Sequence, residues 1–160
     1  MTLSRKPETG RQHAMNAALR LLTRRDHTGF EIQQKLRQRG FAPETVRAVI
    51  AECERLNYID DERTARIYID QLLRRGFGFR RIAVELKKKG LQGGRFEDIL
   101  EKQRAEIDER EIALRVVQKK MNSLEKEADC KKRRDKLYRF LDYRGFNRSI
   151  ISELIRDFVE

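Results

Sequence analysis

Residues 32–41, with the sequence IQQKLRQRGF, carry the pattern that determines the fold. Two apolar residues four positions apart are followed by a basic residue, a glycine and another apolar residue. The pattern returns at residues 82–91 as IAVELKKKGL and at residues 137–146 as LYRFLDYRGF. Later apolar positions also match: Val46, Val49 and Ile50; Phe96, Ile99 and Leu100; Ile151, Leu154 and Ile155. Eight positions agree across three copies spaced 50 and 55 residues apart, which indicates an internal repeat.

Each copy of the repeat predicts a helix, a stop at the glycine and a second helix. Apolar residues four positions apart lie on one face of a helix, so Ile32 and Leu36 mark a buried face. A glycine directly after a basic residue suits the position just past a helix end, where the backbone is left-handed. We therefore expect Gly40, Gly90 and Gly145 to lie at such positions with positive φ.

A further helix precedes each of these pairs. Its apolar residues have the spacing i, i+3, i+4, i+7, i+8 in the first two copies and are less regular in the third. The sets are Ala14, Ala17, Ala18, Leu21 and Leu22; Ala65, Tyr68, Ile69, Leu72 and Leu73; and Ala113, Val116, Val117, Met121 and Leu124. No window alternates with period two, so we assign no strand. The sequence predicts an all-α protein of nine helices, in three tandem helix-turn-helix-like units of three helices that stack into an elongated array.

The repeats also suggest domain boundaries. We place the three units at residues 13–57, 58–103 and 104–160, after a polar N-terminal segment, residues 1–12, that we expect to be a flexible tail. This segment lacks the apolar region of a signal peptide, and no stretch is apolar enough to span a membrane. We expect a soluble, cytoplasmic protein that is monomeric in solution.

The net charge of the chain limits the classes of molecule that it is expected to bind. There are 37 Lys and Arg residues against 26 Asp and Glu residues, a formal net charge of +11. An excess of this size indicates an anionic partner, such as nucleic acid, an acidic protein surface or an anionic membrane.

No residue pattern predicts catalysis, a metal or a cofactor. Gly93-Gly94 lacks the lysine of a phosphate-binding loop. The two histidines, His13 and His27, and the two cysteines, Cys53 and Cys130, do not have metal-ligand spacing. Cys53 falls on an apolar helical face, so we expect it in the core.

The acidic pair Asp60-Asp61 could hold a metal ion, but its position favours a structural role. It directly precedes a predicted helix, where carboxylates cap backbone N–H groups and interact favourably with the helix dipole. We therefore predict N-capping.

Basic residues cluster in all three units, which favours contact with an anion over a face that only keeps the protein soluble. The middle-unit cluster comprises Arg74, Arg75, Arg80, Arg81, Lys87, Lys88 and Lys89. Arg80, Arg81, Lys87 and Lys88 lie on one side of a helix. We predict that this middle-unit cationic ridge carries most of the affinity. The third-unit cluster comprises Lys131, Lys132, Arg133, Arg134, Lys136 and Arg139. The weaker first-unit cluster comprises Arg24, Arg25, Lys35, Arg37 and Arg39. Phe77 and Phe79 could stack on bases or close the loop between helices, and we expect the loop.

The segment LNYIDDERTA at residues 56–65 resembles the bacterial RecX regulatory protein family. The family pattern is an apolar pair, two aspartates, an arginine, an aromatic residue and an alanine, followed by G-x-x-x-I-x-x-x-L-x-x-K-G. The second stretch is matched in order by Gly78, Ile82, Leu86, Lys89 and Gly90. The resemblance covers residues 14–159, and the length and the three-unit organisation also agree.

The resemblance implies a regulator of the recombinase RecA that acts in DNA repair, recombination and the SOS response. Members of the family bind the RecA filament on single-stranded DNA. They inhibit its ATPase, strand-exchange and coprotease activities by blocking filament extension or destabilising the filament. The resemblance implies no catalysis and no cofactor. An array of cationic units suits this role, because several units can contact RecA and the DNA phosphates at once.

Two other classes of function remain open. A three-helix unit with a short turn could be a helix-turn-helix reader that binds DNA directly. The chain could also be a scaffold that binds an acidic protein without DNA. The affinities for bare single-stranded DNA, for duplex DNA and for a RecA filament would separate these classes.

Overall fold

The fold consists of α-helices joined by short turns. The computed structural model describes the backbone of residues 7–159 and the side chains of residues 10–159. The helices are α1 (Pro7–Leu22), α2 (Gly29–Gln38), α3 (Pro43–Arg55), α4 (Asp61–Arg74), α5 (Phe79–Lys88), α6 (Gly94–Glu106), α7 (Glu109–Leu124), α8 (Cys130–Tyr143) and α9 (Arg148–Val159). No strand occurs in residues 7–159. The predicted all-α fold with nine helices is therefore confirmed for the described part of the chain.

These helices form two compact units. Unit 1 contains the described residues up to Ala65 and the segment Lys89–Leu91, and unit 2 contains Arg66–Lys88 and the chain from Gln92 onward. Unit 1 thus holds α1 to α3, unit 2 holds α5 to α9, and α4 contributes residues to both. The finer division at residues 13–57, 58–103 and 104–160 stays a prediction.

The first helix begins earlier than predicted. Residues 7–12 belong to the predicted flexible tail, yet they form the first turns of α1. Pro7 suits the first position of a helix, where a proline loses no backbone hydrogen bond. The apolar spacing marks only the buried part of α1, which starts at Ala14, and an exposed polar turn precedes it. The rest of the predicted tail, residues 1–6, lies outside the described residues.

The repeated apolar positions form the core of both units. Ile32 and Leu36 in unit 1, and Leu137 and Leu141 in unit 2, are fully buried. Cys53 is also fully buried, as predicted, and its Sγ lies 3.8 Å from Sδ of Met15. Burial raises the pKa of the Cys53 thiol, so this cysteine is a core residue that resists ionisation.

The repeated glycines end their helices as predicted. Gly40, Gly90 and Gly145 have φ of 84°, 75° and 79°. After two of them the chain turns back: the N–H of Phe41 donates to the carbonyl of Leu36, and the N–H of Phe146 to that of Leu141, both at 3.3 Å. These bonds satisfy carbonyls that the helix end would otherwise leave unpaired. The other two positive-φ helix stops, Asn57 after α3 and Gly76 after α4, were not predicted.

The N-terminus of α2 meets one of these glycine turns inside unit 1. Oγ1 of Thr28 accepts the N–H of Glu31 at 3.1 Å and donates to the carbonyl of Lys89 at 2.7 Å. The N–H of Gly29 donates to Oδ1 of Asp61 at 2.9 Å. A β-carbon at Gly90 would overlap the ring of Phe30, so the close contact requires a glycine there.

Unit 2 repeats this junction at the N-terminus of α5. The N–H of Gly78 donates to the carbonyl of Arg144 at 2.8 Å, and the N–H of Arg80 donates to the carbonyl of Gly145 at 3.1 Å. The N–H of Phe79 donates to Oε1 of Glu109 at 2.9 Å. A helix N-terminus leaves such donors unpaired, and here the end of another helix and a carboxylate satisfy them. We call each of these two contacts a turn–helix junction.

Glu31 is the charged centre of the junction in unit 1. Its carboxylate lies 3.1 Å from Nη2 of Arg25 and 2.8 Å from Nζ of Lys89, and it accepts the N–H of Thr28 at 3.0 Å. Burial opposes ionisation of Glu31, but the bonds from Arg25, Lys89 and Thr28 outweigh that effect and lower its pKa to about 2.

A comparison of two alanine substitutions tests the turn–helix junction in unit 2. Gly40 and Gly145 both have positive φ, but only Gly145 touches another element, because a β-carbon there would overlap the backbone of Arg81. We expect Gly40→Ala to cost about 1 kcal/mol through backbone strain alone. Gly145→Ala should cost about 2–4 kcal/mol, because it also overpacks the contact. Urea unfolding followed by circular dichroism measures both, and equal losses would contradict the junction.

Replacement of Glu31 by glutamine tests the junction in unit 1. We expect Glu31→Gln to lower the free energy of unfolding by about 2 kcal/mol at pH 7, because charged hydrogen bonds are lost. Since the pKa of Glu31 is lower in the folded chain, its stabilising effect is complete above the ordinary value of 4.5. It is lost as the pH falls toward about 2. The gap between parent and variant in pH-dependent unfolding should therefore close over that range. Glu54→Gln, at an exposed carboxylate without an ion pair among the described residues, is the matched control.

Candidate nucleic-acid interface

The first-unit cluster contains both free and paired cations. Arg24, Arg37 and Arg39 are exposed and make no ion pair with any described residue. Arg25 pairs with Glu31, as does Lys89 of the middle-unit cluster, whose side chain is largely buried. Arg25 and Lys89 therefore stabilise the turn–helix junction, whereas the other three could bind an anion.

The ridge predicted on α5 is partly neutralised. Nη2 of Arg80 lies 2.7 Å from Oδ1 of Asp142, and Nε of Arg81 lies 2.9 Å from Oε1 of Glu85 in poor hydrogen-bond geometry. The guanidinium of Arg81 also lies 5.1 Å from the centre of the Tyr143 ring.

The two lysines of the ridge differ from each other. Nζ of Lys88 lies 3.0 Å from Oε1 of Glu85. The hydrogen bond from Lys88, and to a smaller extent the charge of Arg81, hold the pKa of Glu85 below its usual value. Lys87 is exposed and has no ion-pair partner among the described residues. Of the four basic residues on this part of α5, Lys87 is therefore the one without an ion pair among the described residues.

The third-unit cluster surrounds the beginning of α8. Arg133 donates to the carbonyl of Glu127 at 2.7 Å, and Nζ of Lys136 lies 2.6 Å from Oε2 of Glu127. Arg134 reaches Asp135 only at 4.0 Å. Lys131 and Lys132 are exposed in the first turn of α8, which has no acidic residue. Cations at the positive end of a helix dipole destabilise the helix, so the dipole of α8 disfavours both lysines. The hydrogen bond from Lys136 lowers the pKa of Glu127, and the charge of Lys132 contributes to the same shift.

A groove of about 480 Å³ in unit 2 gathers a different set of cations. The C-terminal turn of α4 and the following residues form one wall, and α7 and the end of α8 form the others. Six cations line it: Arg74, Arg75, Arg115, Lys119, Lys120 and Arg144. The remaining lining residues are neutral, with Gln118 and Ser123 as the polar ones. We call it the basic groove.

Arg144 lies at the base of the basic groove. Its Nη1 donates to the carbonyls of Arg75 and Gly76, at 2.7 and 2.9 Å, beyond the end of α4. Its guanidinium lies 5.2 Å from the ring centre of Phe77 and 4.9 Å from that of Phe140. Burial, and then the charge of Arg75, lower the pKa of Arg144, although it remains a cation.

The sequence prediction found only two of the six groove cations, Arg74 and Arg75. Arg115, Lys119 and Lys120 are spread along α7 and do not form a run of basic residues. Arg115 and Lys119 lie four positions apart, so helical spacing would have placed them on one face. Arg144 stands out in the sequence only as the basic residue before a repeated glycine.

Other sequence predictions concern structural side chains. Asp60 caps α4, since its Oδ1 accepts the N–H of Arg63 at 3.0 Å, which confirms N-capping for this member of the acidic pair. Asp61 is the first residue of α4, and its Oδ1 accepts the N–H of Gly29 at the start of α2. Phe79 is 1% exposed, and Phe77 is half-buried next to Arg75 and Arg144. These aromatic residues close the loop before α5, as expected. Cys130 is exposed at the start of α8.

Neither a metal site nor a membrane span occurs in the part of the chain that the structure describes. Residues 7–159 contain no group of three or more His, Cys, Asp or Glu side chains placed to hold a metal ion. Within the same range, no helix has the length and apolar character needed to cross a membrane.

Models of one protein family match three consecutive parts of the chain. The RecX first three-helix domain matches residues 14–53, the second matches residues 60–93 and the third matches residues 108–155. The three-helix organisation inferred from the repeats therefore agrees with the domain structure of this family.

Similar proteins and structures carry the same family name. A "Regulatory protein RecX" of Legionella pneumophila is 35% identical over 152 residues, covering 90% of this chain and 93% of that protein. One of Vibrio campbellii is 38% identical over 138 residues, covering 85% of each chain. The crystal structure of RecX from Lactobacillus salivarius has a TM-score of 0.78 at 23% identity and covers 94% of this chain and 97% of that one, which shows a shared fold. By its three matched domains and these full-length relatives, the chain belongs to the RecX family of regulatory proteins.

Proposed function

We propose that this chain binds the filament that RecA forms on single-stranded DNA and inhibits the ATPase, strand-exchange and coprotease activities of RecA. Membership of a regulatory family supports a modulating role. The observation that carries the proposal is the distribution of unpaired cations. They occur at Arg37 and Arg39 in unit 1 and at Lys87, Lys131 and Lys132 in unit 2.

A surface of this kind suits a long, repetitive anion better than a short DNA site. A dedicated reader of sequence concentrates its contacts on one recognition helix, whereas here the cations lie on several helices. A nucleoprotein filament offers phosphates and protein surface over a long distance, so contacts of modest strength can act together. The same chemistry predicts that binding weakens strongly as salt is raised.

The proposal includes the absence of catalysis. The chain would act by binding alone, with no cofactor, and would regulate RecA in the cytoplasm, where chromosomal DNA is repaired. Two modes of inhibition differ in stoichiometry. Blocking extension requires one molecule at the growing end of a filament, whereas destabilisation along the length of the filament requires many molecules.

The ATPase of RecA provides the direct test. We expect the purified chain to hydrolyse no ATP and to lower the single-stranded-DNA-dependent ATPase of RecA at or below equimolar amounts. Binding to a circular single-stranded DNA, a short oligonucleotide and a duplex should be measured in parallel. An ATPase that stays unchanged at saturating chain would contradict the proposal. Tight binding of duplex DNA without inhibition of RecA would favour a helix-turn-helix regulator. Binding to RecA that is equally strong with and without DNA would favour a scaffold.

The start of α8 allows a test in which binding and stability change in opposite directions. Lys131→Gln with Lys132→Gln should weaken filament affinity and reduce its salt dependence, because two phosphate contacts are lost. The same change should leave folding unchanged or stabilise it by about 0.3–1 kcal/mol per residue, because two cations leave the positive end of the helix dipole. Filament co-sedimentation and thermal unfolding measure the two effects. Unchanged affinity would show that this cluster is only a solvated surface.

A further inference from the structure

The basic groove gathers six cations around one cavity. None of its lining residues is acidic. Among its six cations, only Arg74 has a carboxylate partner within the described residues, Asp70, at 2.9 Å. A concave site lined by charges of one sign focuses the electrostatic field and attracts counter-ions. On α5, by contrast, Asp142 and Glu85 balance the arginines.

The shape of the groove is fixed by packing at its base. A β-carbon at Gly76 would overlap Val116, so the end of α4 lies directly against α7. Arg144 binds the carbonyls that follow α4, and Nζ of Lys120 lies 5.3 Å from the ring centre of Phe140. A ligand would therefore meet two cations that are already positioned, Arg144 and Lys120, which reduces the entropic cost of binding.

The fold does not need all of these cations. Arg144 satisfies backbone carbonyls, and Lys120 packs on an aromatic ring. Arg115 and Lys119, however, are exposed and have no hydrogen-bond or ion-pair partner among the described residues. They project from one face of α7 into a region that is already positive, where each raises the repulsive energy. A mobile anion that binds there would remove this repulsion.

The lining favours a nucleic-acid backbone over an acidic protein segment. Protein segments usually bind through aromatic or apolar anchors in a pocket. Of the apolar residues that line the groove, Leu73 and Ile112 are buried, and both Arg144 and Lys120 lie over the ring of Phe140. Arginine, lysine and glutamine side chains are common phosphate contacts. A positively charged groove that follows the backbone is typical of proteins that bind single strands without sequence preference.

We propose that the basic groove binds the phosphate backbone of single-stranded nucleic acid, with Arg115, Lys119 and Arg75 as principal contacts. The inference deepens the proposed function, on which it rests, because it assigns the DNA part of the nucleoprotein partner to one surface. It also moves the expected centre of binding from the ridge on α5 to α7. Base identity is not read, because the contacts are to phosphate.

Fluorescence anisotropy with a labelled 20-nucleotide oligo(dT) tests the groove in the full chain. We compare Arg115→Gln/Lys119→Gln with Lys102→Gln/Arg148→Gln, which removes the same charge from exposed positions outside the groove. The groove variant should bind at least about tenfold more weakly at 0.1 M salt. The slope of log affinity against log salt should fall by about 1.4 units, as expected for two single-strand phosphate contacts. The control variant should bind like the parent.

Three outcomes would overturn the inference: equal binding by both variants, no measurable binding of the oligonucleotide by the parent at 50 mM salt, or displacement of the oligonucleotide by poly-glutamate as effectively as by unlabelled oligo(dT). Circular dichroism verifies that both variants fold. The RecA ATPase assay with the parent chain decides the proposed function separately. If the parent inhibits RecA while the groove variant binds oligo(dT) normally, the groove assignment fails and the RecA proposal stands.

Discussion

The turn–helix junction is the contact on which each compact unit depends. In unit 1, Thr28 at the start of α2 donates its hydroxyl to the carbonyl of Lys89. In unit 2, Gly78 at the start of α5 donates its N–H to the carbonyl of Arg144. The acceptor is in both cases the basic residue that precedes a repeated glycine, and an acidic side chain, Asp61 or Glu109, receives a neighbouring backbone N–H. Helix ends carry unpaired donors and acceptors, so placing the end of one helix on the start of another satisfies both sets at once.

The junction also explains the basic residue in the repeat. Lys89 pairs with Glu31, and Arg144 binds two backbone carbonyls, so both side chains are used by the fold. Arg39, at the corresponding place in the first copy, is exposed, and a β-carbon added to the adjacent Gly40 would meet no other element within 4 Å. The basic position before the repeated glycine is thus used by the fold in the second and third copies, whereas in the first copy its side chain is exposed. Sequence similarity among the copies could not distinguish these roles, because they depend on which residues of other helices contact the basic side chain.

Most of the fold could be predicted from the sequence, whereas little of the candidate site could. Apolar spacing predicts the helices, and the glycines predict three of their ends, because these signals act within a few residues along the chain. The boundary at residue 57 was predicted, but the left-handed conformation of Asn57 was not, although asparagine tolerates it. The site is harder to predict because a run of basic residues does not by itself define a charged surface. Arg80 and Arg81 are close in sequence to many cations, but the fold brings Asp142 and Glu85 to them.

The basic groove arises because the fold already stabilises cations at its base. The carbonyls that follow α4 lie at the negative end of a helix dipole and accept hydrogen bonds from Arg144. The same partial negative charge interacts favourably with the arginines beside it. Cations added on α7 then face other cations across the groove and no acidic residue in its lining. Arg115 and Lys119 are nevertheless present and have no partner among the described residues. Exposed cations that make no ion pair among the described residues and surround a cavity are best explained by an anion that binds there.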